Sequence, residues 1–300
     1  MKPKTLGIVF ILLASVMWAI ETIFAKLAYT ASTAPDFRHT VAIRTIVVAI
    51  IAFLYVFFVN RGNFKRLFSV LKVDKKHLPS LAYIAIAGAL FADFIFYLAL
   101  TKTTAVNANL IAHLQPVFIV LIGFFMLKED KLTRYDYMGI IIMISSALLV
   151  TTRTIENFAD FKFGTSGDLL ILGSTFLWAT VAIVGRKAVR FTDASVIIFY
   201  RFLLASVIFL SYLIFTSGFF IANIYEVLLG IVVGLGYIFY YNSLRRIKAA
   251  QLSALELSTP FFTAILGYFV IDEVTTFMQI VGILFLFVGV YFLSKKEHTE

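Results

Sequence analysis

The chain is built from nearly uninterrupted apolar runs of about 20 residues, and these recur from one end of the sequence to the other, separated by short polar or basic segments. A helix rises about 1.5 Å per residue, so each run matches the roughly 30 Å of hydrocarbon in a bilayer. A barrel strand needs only about 10 residues and alternates apolar with polar positions. These runs do not alternate. Charged residues make up 14% of the chain, against roughly 25% in soluble domains. The pattern predicts an all-α integral membrane protein.

Turn chemistry and charge runs mark ten spans: 6–29, 40–59, 79–100, 104–127, 135–152, 167–187, 194–216, 224–244, 248–271 and 276–294. The first exceeds the h-region of a signal peptide, about 7–15 residues, and is read as a retained helix. With the first helix starting inside, only Arg38, Lys102, Arg153 and Lys162 fall outside, and Lys26, Arg44 and Arg201 lie within helices. All the other Lys and Arg of the total of 26 are then cytoplasmic. The positive-inside rule therefore places both termini in the cytoplasm. The net charge of +9 is explained by this topology, and no nucleic-acid partner is expected. With no cysteine, disulfides and thiolate metal sites are excluded.

The chain also repeats itself. Trp18 in "ASVMWAIETIFAKLA" aligns with Trp178 in "GSTFLWATVAIVGRKA", and Asp36 and Arg44 align with Asp193 and Arg201. The longest match sets "ANLIAHLQPVFIVLIGFFMLKE" against "SALELSTPFFTAILGYFVIDE", pairing Pro116 with Pro260 and Glu129 with Glu273. Three blocks in the same order make a duplication. Each half holds five spans, an odd number, so the copies enter the membrane from opposite faces as inverted repeats. Secondary transporters use that arrangement, with their site at the midplane between the repeats. The expected units are 1–152 (helices 1–5), an outside linker 153–166, and 167–300 (helices 6–10 with a short cytoplasmic tail).

The proline followed by an apolar run to "LKE" or "IDE", and then by "YMGIIIMISSALLV" or "QIVGILFLFVGVYFL", resembles the twin EamA domains of the drug/metabolite transporter superfamily. The resemblance covers nearly the whole chain. It implies a ten-helix basket around a central cavity lined by helices 1, 3, 4, 6, 8 and 9. It also implies alternating access, most often for export of amino acids, metabolites or toxic compounds.

Ionisable groups inside a membrane cost about 2.5–3.5 kcal/mol at a helix centre and so face the bundle or a wet cavity. Glu21 and Asp93 lie at similar depths, roughly 22 and 21 Å along helices that run the same way. Arg44 can reach that level, leaving one carboxylate in excess for proton coupling or for recognition of a substrate cation. Arg44 can equally serve only to fasten helices, as can its counterpart Arg201, where Glu21 is replaced by Val181. Lys26 and Arg186 are read as interface anchors. Asn109, His113 and Pro116 share one helix face, and Ser253, Glu256 and Pro260 form the matching face of the other half. The alternatives are an interhelical hydrogen bond for His113 and a salt bridge to Arg201 for Glu256. Both prolines are expected to kink their helices. Trp18, Trp178, Tyr97, Tyr237 and Tyr241 are candidate aromatic walls for a substrate, or simply packing.

There is no GxxxxGK loop for a built-in ATP motor and no GxSxG elbow. Of the four histidines, only His113 falls within a span, which argues against a metal centre. No cofactor and no enzymatic activity are expected. The sequence thus reads as a multi-pass transporter of a prokaryotic cytoplasmic membrane, exporting a small organic metabolite. Its expected partners are that solute, lipid, protons and a second copy in a homodimer. The alternative reading is a receptor or assembly factor that moves nothing.

Overall fold

The computed structural model describes residues 3–31, 36–127, 133–162, 164–216, 218–247, 252 and 255–294. Glu129, Ser253 and much of the start of the ninth span lie outside them. Among the described residues every regular element is helical. Eight helical stretches are long and apolar enough to cross a membrane, and two shorter apolar helices follow them.

The chain opens with two unbroken helices, α1 (Pro3–Thr30) and α2 (Phe37–Val59), and a short surface helix, α3 (Phe64–Leu71). The third span is composite. It runs through α4 (Leu78–Tyr83), a π-helical stretch (Ile84–Ala92) and α5 (Asp93–Leu100). The fourth is broken into α6 (Ala105–Ala112) and α7 (Gln115–Ile122). Then come α8 (Arg134–Thr152), a single turn α9 (Ile155–Ala159), α10 (Ser166–Ala188), α11 (Ala194–Phe215), α12 (Ile224–Leu244), α13 (Ser258–Ile271) and α14 (Phe277–Ser294).

Local chemistry sets several of these boundaries. Thr133 with Asp136, and Thr165 with Asp168, form reciprocal capping boxes that satisfy the first free N–H groups of α8 and α10. Pro116 sits in the first turn of α7, where its missing N–H removes nothing the helix needs.

Helix α1 packs along α12 and against α13, α2 packs on α11 and α12, and α10 packs on the third and fourth spans. At the periphery α8 pairs with α14. Their backbones approach closely because Gly139 faces Leu293, where an added Cβ would sit 2.7 Å from Cδ2. Ser146 Oγ donates to the Gly282 carbonyl at 2.6 Å across the same seam. Large apolar side chains such as Phe215 and Phe269 point outward and are exposed. Hydrocarbon, unlike water, solvates such a surface at no cost.

Candidate functional site

Two carboxylates and two guanidiniums meet between the helices. Arg44 Nη1 donates to Asp93 Oδ2 at 2.9 Å, and its Nη2 lies 3.5 Å from Glu21 Oε1. From α11, Arg201 Nη2 reaches Asp93 Oδ1 at 3.4 Å. Trp178 Nε1 donates to the same oxygen at 2.9 Å, and the Tyr97 hydroxyl donates to Glu21 Oε1 at 2.6 Å. Arg44, Arg201 and Asp93 are buried. The aromatic rings complete the shell: the guanidinium carbon of Arg44 is 5.1 Å from the Tyr97 ring, and that of Arg201 is 4.4 Å from the Tyr237 ring. Both positions draw a cation toward the negative face of a ring.

The expected surplus carboxylate does not arise at this cluster. Arg201 joins it from the far end of the sequence, so two acids face two bases. Arg201 pairs with Asp93 and not with Glu256. Tyr97 is fully buried and acts behind Glu21, with its own carbonyl accepting from the Tyr29 hydroxyl at 3.2 Å.

The space Arg201 occupies depends on Gly88 in the π-helical stretch. A Cβ there would lie 3.1 Å from the Arg201 Cζ and 3.2 Å from its Nη2. Gly88→Leu is expected to push the guanidinium off Asp93 and to destabilise the protein by about 1–3 kcal/mol through overpacking. A thermal melt in detergent reads this, and an unchanged melting temperature would mean that Arg201 does not need that space.

In both halves a helix breaks just before its proline. Helix α6 ends at Ala112 and α7 starts at Gln115, next to Pro116, while the turn at Leu257 separates Glu256 from α13, which contains Pro260. His113 sits in the first break, its Nδ1 2.6 Å from the Asn109 carbonyl. The Asn109 amide donates to Thr22 Oγ1 at 2.9 Å and to Thr263 Oγ1 at 2.8 Å, tying α6 to both α1 and α13.

These elements line a cavity that opens to solvent. Trp18, Glu21, Arg44, Asp93, Asn109 and His113 line it from the first half. Trp178, Arg201, Tyr237, Tyr241 and Glu256 line it from the second, and Pro116 also contributes. Of the residues singled out in the sequence, Tyr97 and Pro260 do not reach the cavity surface. Phe96, Gln115, Tyr240 and Arg186 do, and none of them had been put at the site. Arg186 is exposed at the end of α10 and marks the mouth.

The other end of α10 is packed shut. Asp168 Oδ1 accepts from Thr103 Oγ1 at 2.5 Å and from the Asn107 amide at 3.2 Å. Gln279 in turn donates to Asn107 Oδ1 at 2.6 Å, and Arg153 Nη2 to Thr103 Oγ1 at 3.2 Å. Glu273 accepts the backbone N–H groups of Ala105 and Val106 at 2.9 and 3.2 Å, capping α6. Lys26 does not reach out to the headgroups as expected, but donates to the Thr103 carbonyl. Nearby, His39 Nδ1 is 3.0 Å from Glu226 Oε1, which also accepts from Thr40 Oγ1 at 3.1 Å. His39, which falls just outside the expected span 40–59, is buried in the first turn of α2.

A family model described as the EamA-like transporter family matches residues 5–152 and again residues 165–295. An uncharacterized transporter of Archaeoglobus fulgidus is 25% identical over 229 residues, covering 73% of this chain and 76% of that one. A riboflavin transporter of Fusobacterium nucleatum is 22% identical over 195 residues, covering 62% of this chain and 65% of its own. A solved crystal structure superposes with a TM-score of 0.66 at 16% identity over 97% of both chains, which establishes a shared fold. Two successive matches spanning nearly the whole length, on a bundle of membrane-length helices around a polar cavity, lead to one assignment: the chain belongs to the EamA-like transporter family.

Proposed function

We propose that the protein is a secondary transporter that exports a small organic metabolite across the cytoplasmic membrane of a prokaryote by alternating access, with proton exchange as its coupling. The observation that carries this reading is a cavity lined by polar side chains from both halves, open toward Arg186 and packed shut around Asp168. The eight long helices and two shorter ones correspond to ten spans, arranged as inverted repeats over 1–152 and 167–300 and joined by the outside segment 153–166. The basic segments favour a cytoplasmic location for both termini. The open mouth, on the side where α1 begins, then faces the cytoplasm, as loading for export requires. The paired helix breaks before Pro116 and Pro260 supply hinges between the repeats. The riboflavin transporter among the relatives supports an organic solute rather than an inorganic ion.

The test is efflux from proteoliposomes loaded with a mixed metabolite panel and read by mass spectrometry, with and without an imposed pH gradient. Wild type is expected to release a few compounds selectively, faster with the gradient, and Glu21→Gln to release them at least about tenfold more slowly, a barrier change of about 1.4 kcal/mol. Equal release by both proteins would make Glu21 structural, and no selective release at all would count against transport.

A further inference from the structure

Three carboxylates line the cavity, and two of them are already engaged. Glu21 meets Arg44 and Tyr97, and Asp93 meets Arg44, Arg201 and Trp178. Glu256 has neither an ion pair nor a side-chain hydrogen bond among the described residues. Its backbone, by contrast, is held in place. Thr259 Oγ1 donates to the Glu256 carbonyl at 2.8 Å and Ser15 Oγ does so at 3.5 Å, so the side chain leaves a fixed point beside the helix break.

His113 is hydrogen-bonded to the Glu256 backbone, and much of the remaining wall on this side is aromatic or apolar. Trp18 and Tyr240 line the same cavity with ring centroids 5.7 Å apart, and Leu252 and Leu257 complete the wall. Of the three arginines that line the cavity among the described residues, Arg186 is the one with no carboxylate partner, and it sits exposed at the mouth. A carboxylate withdrawn from bulk water is stabilised by an arriving cation, and the faces of aromatic rings attract the same charge. An anion would meet repulsion from both.

We propose that Glu256, with the ring faces of Trp18 and Tyr240, recognises a positively charged group on the substrate, so that the transported class is organic cations, an ammonium or guanidinium group on an apolar or aromatic body. The proposal rests on the transport reading. It gives the two helix breaks distinct roles: His113 lies at one, while the other presents the charge that selects the solute.

The chain's two tryptophans, Trp18 and Trp178, both line the cavity, so intrinsic fluorescence of the purified full chain reports its occupancy without a label. Three probes are titrated: benzyltrimethylammonium, its neutral carbon analogue neopentylbenzene, and the anion phenylacetate. The cation is expected to give a saturable change at concentrations where the other two do not. Glu256→Gln should raise its Kd about tenfold or more, as loss of a contact to a charged group does. Tyr240→Leu, which leaves the carboxylate in place, should raise it by about three- to fivefold. The two variants guard against a folding defect in either, since each must elute as the wild type does to be counted. If neither variant does, the wild-type comparison of the three probes decides. Equal response to the cation and the neutral analogue, preference for phenylacetate, no saturable response to the cation, or an unchanged Kd in a folded Glu256→Gln would each overturn the proposal. Selective efflux of a neutral or anionic metabolite would also overturn it while leaving transport standing. Cation binding without efflux would do the opposite.

Discussion

Asp93→Asn is expected to lose most of its folded protein. The Asp93 carboxylate serves Arg44 at 2.9 Å, Arg201 at 3.4 Å and the Trp178 indole at 2.9 Å, and both arginines are buried. Removing one member of a buried ion pair costs about 3–5 kcal/mol, because the remaining charge stays out of water without a partner. Here a single substitution leaves the Arg201 guanidinium without a carboxylate and Arg44 with Glu21 alone, against a total stability of about 5–15 kcal/mol. Monodisperse yield and melting temperature in detergent read the effect. Adding Arg201→Met should recover part of the loss, since Arg44 then still has Glu21. Strictly additive losses would show that residues 93 and 201 do not share an interaction, and a melting temperature equal to wild type would sink the prediction.

The second large effect is on access. Glu273→Ala removes the acceptor for the Ala105 and Val106 N–H groups, which begin α6 at the packed end of the bundle. Hydrogen bonds to a charged group contribute about 1.5–3 kcal/mol each, so two of them, about 3–6 kcal/mol together, bias this end toward closure by a factor of roughly a hundred to ten thousand on the scale of about 1.4 kcal/mol per decade. The chain has no cysteine, so Ala112→Cys at the cavity wall gives a unique labelling site without further engineering. A membrane-impermeant maleimide applied from the packed side should react at least about tenfold faster when Glu273→Ala is added. Applied from the open side it should not speed up. Identical rates from the packed side would mean that the Glu273 contacts do not hold that end closed.

The membrane class and the family were legible in the sequence because both are carried by long-range periodicity and by local strings such as the proline blocks ending in "LKE" and "IDE". The polar residues of the cavity could be picked out because each is expensive in an apolar run. What could not be read was their pairing. Arg201 reaches Asp93 only because helices distant in the sequence pack together and because the π-helical stretch places Gly88 under the guanidinium. Neither the wider helical turn nor its register leaves a periodic signal. The packed end was missed for a related reason. Lys26 and His39 look like interface and loop residues when each is judged by its own helix, and their partners Thr103 and Glu226 come from elsewhere in the chain. Depth along one helix predicts the cost of a charge but not its neighbour.

The balanced quartet of Glu21, Asp93, Arg44 and Arg201 also has an electrical consequence. A unit charge crossing the membrane field does work of about 2.3 kcal/mol per 100 mV. With both carboxylates ionised, the four groups sum to zero, and rocking them across the field does almost no work. Under the proposed alternating access, the voltage sensitivity of the empty carrier then comes from charges outside the quartet, Glu256 and Arg186 among those that line the cavity. Reorientation currents recorded without solute would therefore weigh the charges outside the quartet, with the quartet acting as an electrically silent pivot.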